Sequence, residues 1–302
     1  MDGRRRVDAP PDPEIDGIRR RLGRIRSDAE QRRCRNPIVF RRDLPVATPA
    51  RPRRLVAGGL VRLEDEVAGV ARPCPQGGAA YVIERRFDGS CETWGALCGE
   101  FRTHLQDAGS PIRRLIAASC GLDGVRPDDV LFVDLETTGL AGTPLFLIGT
   151  MACEGGALVV RQFFARDYSE ERPVIAHFAE AAGGRGLLVS FNGKSFDLPY
   201  VRVRAAAVGV PFAPDPAHLD LLHVCRRIWR DVLPNCRLQT LERRICGRVR
   251  TADIPGSEIP EAYHEYVRTG NALEMLDVLE HNRQDLLTLA ELMVRLPPPE
   301  AG

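Results

Sequence analysis

The sequence predicts an α/β domain: a mixed β-sheet with helices on both faces over residues 129–297. Two patterns carry that expectation. Three strand-like segments joined by turn signals come first, and strand-helix alternation follows them. A third observation is the apolar run Val130–Val133, which suits a central strand buried on both faces. With 302 residues, 44% of them apolar, the chain has material for one large core or two modest ones.

Residues 1–54 are rich in Arg, Pro and Asp, too polar to offset the cost of ordering, and read as a mostly flexible basic arm. Within it Ile15, Ile18, Leu22 and Ile25 have the spacing of a short helix. Residues 55–128 read as a small α+β accessory module. Period-2 stretches at Gly59–Glu64 and Gly78–Arg86 precede a helix-like segment, Cys91–Gln106, and Pro111–Pro127 reads as a helix followed by a linker. From residue 129, strands are expected at Val130–Glu136, Leu145–Ala152, Leu158–Phe164 and Leu187–Phe191, with Glu154-Gly155-Gly156 as a hairpin turn. Helices are expected at Pro173–Ala182, Leu198–Val208, Leu219–Val232, Leu238–Cys246 and Ala272–Leu296, the last stopped by Pro297-Pro298-Pro299.

The formal charge of +1 hides a segregation: residues 1–60 carry +8 and residues 61–302 carry −7. No apolar run approaches the roughly 18 residues of a membrane-spanning helix, and the N-terminus MDGRRRVDAPPDP is charged where a secretory leader would be apolar. A cytoplasmic protein with no membrane partner is expected. Nine cysteines without a C-x-x-C pair read as buried thiols. His218, His223, Cys225 and Cys236 match no common zinc spacing.

The chemistry lies where polar residues interrupt apolar elements. The first strand ends in Asp134 and Glu136, and a spacing of two places both on one face. Burying two like charges side by side is costly unless a cation neutralises them, and an all-oxygen pair suits Mg²⁺ or Mn²⁺. Asp197 follows the turn Asn192-Gly193 at the start of a helix, where a capping role is the alternative. The long last helix is broken by Glu280-His281-Asn282-Arg283-Gln284-Asp285, which sets His281 and Asp285 on one face.

Together D-L-E-T-T-G-L (134–140), N-G-K-S-F-D (192–197) and H-N-R-Q-D (281–285) resemble the three motifs of the DEDD superfamily, ribonuclease-H-like 3′–5′ exonucleases named for four metal-binding carboxylates. Within it the chain is similar to the bacterial YprB-type ribonuclease-H-like domain over about residues 129–296, including D-I-P-G at 253–256. The resemblance implies that Asp134, Glu136, Asp197 and Asp285 ligate two divalent cations, Mg²⁺ or Mn²⁺, and that His281 orients or deprotonates the attacking water. It further implies that Thr138 and the backbone of Gly139 and Leu140 meet the terminal nucleotide, with Asn192 of the second motif beside the substrate. Lys194, three residues before Asp197, stands where an ammonium can meet a phosphate, a solvated loop lysine being the alternative. The implied partner is nucleic acid, DNA or RNA, engaged at single-stranded 3′ ends. One departure concerns His281, four residues before Asp285: related enzymes carry Tyr at four or His at five. Two alternative readings are a binding module without turnover and a phosphodiesterase acting on small oligonucleotides.

Overall fold

The computed structural model describes residues 59–297 except 76, 92–93, 140–141, 213–215 and 252. The basic arm and its candidate helix lie outside the described residues. The described chain opens with one helical turn, α1 (Leu63–Glu66), with Leu63 buried and three acids at the turn's positive end. Strands β1 (Val70–Pro73) and β2 (Ala79–Phe87) follow, then helices α2 (Gly95–Gln106) and α3 (Pro111–Cys120). Ser110 caps α3 by accepting from the Arg113 N–H, and Gly121 closes it in the left-handed region at φ 69°. Next come β3 (Val130–Thr137), β4 (Leu145–Glu154), β5 (Ala157–Phe164), α4 (Glu171–Ala182), β6 (Leu187–Ser190), α5 (Asp197–Val208) and β7 (Ala217–Asp220). Helices α6 (Leu221–Trp229), α7 (Leu238–Leu241) with its continuation as a π-turn (Glu242–Cys246), α8 (Ile259–Thr269) and α9 (Leu273–Val294) follow, and short 3-10 turns at Pro127–Asp129 and Tyr168–Glu170 precede β3 and α4.

The strands form one seven-stranded sheet in the order β1-β2-β5-β4-β3-β6-β7. Strands β1 to β5 pair antiparallel, whereas β3, β6 and β7 run parallel, so β3 joins the two halves. Alternation along β5 identifies the two faces. The Phe163 ring lies 6.1 Å from His177 of α4, while its neighbour Gln162 bonds Asn282 of α9. On β3, Leu131, Val133 and Leu135 join the apolar cluster that includes Val174, Ile175 and Phe178 of α4. Each such side chain contributes about 1.5–3 kcal/mol by leaving water. Phe132 faces Phe101 of α2, 5.4 Å between ring centroids, and Asp134 and Glu136 share that face. This is an α/β ribonuclease-H-like fold: a mixed sheet between helical layers.

The elements expected from residue 129 onward stand within a few residues of their places, and several differences have physical reasons. Gly59–Glu64 forms no strand, because its end enters α1, where Leu63 packs inward. The strand expected at Gly78–Arg86 is β2, which pairs with β5 from Tyr81↔Phe164 to Phe87↔Leu158. The sheet therefore runs through the expected boundary at residue 129, and α2 packs on β5 and α9. The helix expected at Leu219–Val232 starts two residues later, since Leu219 and Asp220 pair with Val189 and Ser190 as the end of β7. Strand β1 and helix α8 have no counterpart in the sequence expectations. No described helix is long and apolar enough to cross a membrane.

Candidate active site

Three elements from distant parts of the chain set the carboxylates. Strand β3 ends in Asp134 and Glu136, its pairing with β4 irregular between Glu136 and Thr137. Opposite Asp134 stands Gly149, and a methyl group there would overlap Asn282 Oδ1. Asn282, fully buried on α9, uses that space. Its Nδ2 donates to the Asp134 carbonyl (3.2 Å) and Oδ2 (2.8 Å), and its Oδ1 accepts from Gln162 Nε2 (2.9 Å). Gln162 Nε2 also donates to the Leu279 carbonyl at 2.7 Å. A buried amide pair thus joins α9 to β3 and β5, with its polar groups satisfied.

The second element is the turn from β6 into α5. Asn192 is left-handed at φ 69°, and a Cβ on Gly193 would stand 2.6 Å from Asp197 Oδ2, so only glycine lets this carboxylate lie over the turn. Asp220 clamps the turn from the end of β7. Its Oδ1 accepts from the Asn192 N–H (2.8 Å) and caps α6 at the Leu222 N–H (3.0 Å), and its Oδ2 accepts from the Lys194 N–H (3.1 Å). The third element, α9, presents His281 and Asp285 one turn apart.

These groups repel one another. Burial, then the charges of Asp285, Glu136 and Asp197, raise the Asp134 carboxyl well above its ordinary range, against the Asn282 hydrogen bond. Burial pushes Glu136 up to about 8; His281 opposes the shift, while Asp285, Asp197 and Asp253 add to it. Asp197 is likewise pushed up to about 8, by burial and then by Asp220. Side-chain exposures of 13% for Glu136 and 15% for Asp285 keep the cluster in touch with solvent.

Four polar residues outside the expected set surround α9 at this point. Arg250 bonds Asp285 Oδ1 through one terminal nitrogen and Glu242 Oε2 through Nε (2.7 Å). Arg248 also binds Glu242, at 2.6 Å. Asp253 Oδ1 lies 2.8 Å from His281 Nδ1. The other imidazole nitrogen, Nε2, is 3.6 Å from Asp285 Oδ2 and 4.0 Å from Glu136 Oε1. Burial lowers the His281 pKa, but the Asp253 bond and the charges of Asp285 and Glu136 outweigh it and hold the value up at about 9.

As the side chains stand, no three His, Cys, Asp or Glu groups among the described residues close on one point as metal ligands. Asp134 is turned to Asn282 and Asp285 to Arg250. The donor chemistry nonetheless fits a hard divalent cation: four oxygen-only, mutually repelling carboxylates with no thiol beside them.

Among the expected substrate contacts, Asn192 and Lys194 are exposed on the turn before Asp197. Thr138 is buried and donates through Oγ1 to the Pro144 carbonyl (2.9 Å), closing its own loop. Gly139, at φ 152°, accepts from Thr137 Oγ1 at 2.8 Å. Leu140 lies outside the described residues. Of the groups not foreseen, Asp253 was visible only as part of D-I-P-G, and Arg250 carried no signal in a chain of 41 arginines.

A mixed sheet whose central strand ends in paired carboxylates, faced by a helix carrying His and Asp, defines a ribonuclease-H-like domain. The chain belongs to the RNase_H_2 family of the RNase_H superfamily, which it matches over residues 131–297. It is 31% identical over 178 residues to the uncharacterized protein YprB of Bacillus subtilis (strain 168), covering 57% of this chain and 43% of that one. It is 26% identical over 212 residues to a DNA polymerase of Pyrococcus glycovorans, covering 60% of this chain and 26% of the polymerase. The chain thus spans less than half the length of either relative. A solved family B DNA polymerase, from Pyrobaculum calidifontis, aligns with a TM-score of 0.44 and 20% identity over 54% of this chain and 24% of that one.

Proposed function

We propose that this protein is a divalent-metal-dependent nuclease that removes nucleotides from single-stranded 3′ ends, a DEDD-type 3′–5′ exonuclease. The observation that carries the reading is the gathering of Asp134, Glu136, Asp197 and Asp285 from three elements into mutual repulsion that cations would relieve. In this reading those four carboxylates hold two Mg²⁺ or Mn²⁺ ions. The bound ions would stabilise the attacking and leaving oxygens and, by cancelling the charges of Glu136 and Asp285, lower the affinity of His281 for its proton.

The protein's own groups do the rest. His281 Nε2, on the cluster side of the ring, receives a proton from the attacking water. The exposed Lys194 meets a phosphate of the substrate and Asn192 lies beside it, while Gly139 and Leu140 offer backbone to the terminal nucleotide and Thr138 shapes their loop. Residues 221–250 hold eight arginines against two acids. That segment follows Asp220, which clamps the turn before Asp197 from the end of β7, and ends at Arg250, which bonds Asp285. Its charge favours a polymer over a dinucleotide substrate.

The test is degradation of 5′-labelled single-stranded DNA and RNA oligomers with Mn²⁺. The expected result is stepwise shortening from the 3′ end that EDTA stops and that Asp197→Asn abolishes without changing the fold. Equal cleavage by Asp197→Asn, or cuts at internal positions, would overturn the reading.

A further inference from the structure

The spacing of His281 departs from both patterns of related enzymes, yet the ring is not left to find its own orientation. Its Nδ1 lies 2.8 Å from Asp253 Oδ1, and its Nε2 faces Asp285 and Glu136 on the opposite side. Asp253 is itself held: Oδ2 accepts from Gln239 Nε2 at 2.8 Å and stands 3.6 Å from an Arg250 nitrogen. Its side chain is 9% exposed and that of His281 10%, so water competes little for their bond. A carboxylate on one imidazole nitrogen fixes both the ring's rotation and the nitrogen that carries the proton.

We propose that Asp253 is a positioning residue for His281: it anchors Nδ1–H so that Nε2 points into the carboxylate cluster and is the nitrogen that accepts the water's proton. Asp253, which lies between the π-turn and α8, thereby supplies from outside α9 the orientation that the residue spacing on α9 does not. The consequence for turnover rests on the nuclease reading; the geometric claim does not.

The experiment combines a kinetic cycle with a spectroscopic readout on the full chain. Asp253→Asn preserves shape and removes the charged acceptor. It is expected to lower kcat about 10–100-fold, the usual loss when such a supporting carboxylate is removed, with KM little changed and the same melting temperature. In a His281→Ala background the same substitution should cost nothing further, because the group it orients is gone. A merely structural Asp253 would cost the same in both backgrounds. Independently of activity, the proton NMR spectrum should contain a low-field Nδ1–H resonance that vanishes in both Asp253→Asn and His281→Ala. Equal losses in the two backgrounds, or a resonance that persists in Asp253→Asn, would overturn the proposal. If the wild-type protein hydrolyses nothing with Mn²⁺, the nuclease reading fails, and the resonance still decides the role of Asp253.

Discussion

Two carboxyls, Glu136 and Asp197, have pKa values near 8 in the folded protein against about 4 for the free side chains. Between those values the folded state keeps protons that the unfolded state has released, so stability falls as pH climbs from about 4 to about 8 and then levels. In EDTA the melting temperature should therefore be lower at pH 8 than at pH 5. Added Mn²⁺ should raise it more at pH 8, where the ions replace the missing protons. Equal shifts at the two pH values would sink the idea that these carboxylates share cations. Asp197→Asn should remove part of the decline in EDTA, since one member of the repelling set is then neutral. At this scale a polar residue breaking an apolar element is the signal that marks Asp134, Glu136, Asp197, His281 and Asp285 as candidates in the sequence. Asn282 stood inside a motif without a role, because its partner Gln162 lies 120 residues away and only folding reveals the pairing.

Among the elements, β3, β4 and β5 were legible because their apolar runs exceed what exposed strands carry. Strand β7 is four residues long, A-H-L-D, and its strand character comes from pairing with β6 rather than from its own composition. Helix α8 buries Ile259, Ala262, Tyr263 and Tyr266, a helical spacing, but Pro255, Gly256 and Pro260 punctuate that stretch as a loop. The joint between α9 and the sheet depends on Gly149. Gly149→Ala should displace Asn282 and lower stability by about 1–3 kcal/mol, the range for overpacked cores. It should also cut turnover, because Asp134 loses its anchor while no carboxylate has been changed. Denaturant unfolding and a cleavage assay read the two effects, and wild-type values in both would refute this account of the joint.

Over the whole molecule, charge is unevenly spread, +8 in residues 1–60 and a second arginine-rich stretch at 221–250 within an otherwise acidic remainder. Arg226, Arg227, Arg230 and Arg237 of that stretch are exposed. Replacing these four with Gln should weaken single-stranded oligonucleotide binding. The slope of log affinity against log salt should flatten by about 0.7 for each phosphate that the protein no longer neutralises. Turnover of a p-nitrophenyl ester of thymidine 5′-monophosphate should be unchanged. An unaltered slope would mean that nucleic acid takes another path over the surface.

The turn between β6 and α5 has one more property. Lys194 is the chain's single lysine, and it stands exposed three residues before Asp197. A lysine-specific protease therefore has one cleavage point in these 302 residues, and the cut separates Asp134 and Glu136 from Asp197 and Asp285. Digestion rate becomes a footprint of site occupancy, read on a gel without any nuclease assay. An oligonucleotide lying over this turn should slow the cut, and one bound elsewhere should leave its rate unchanged.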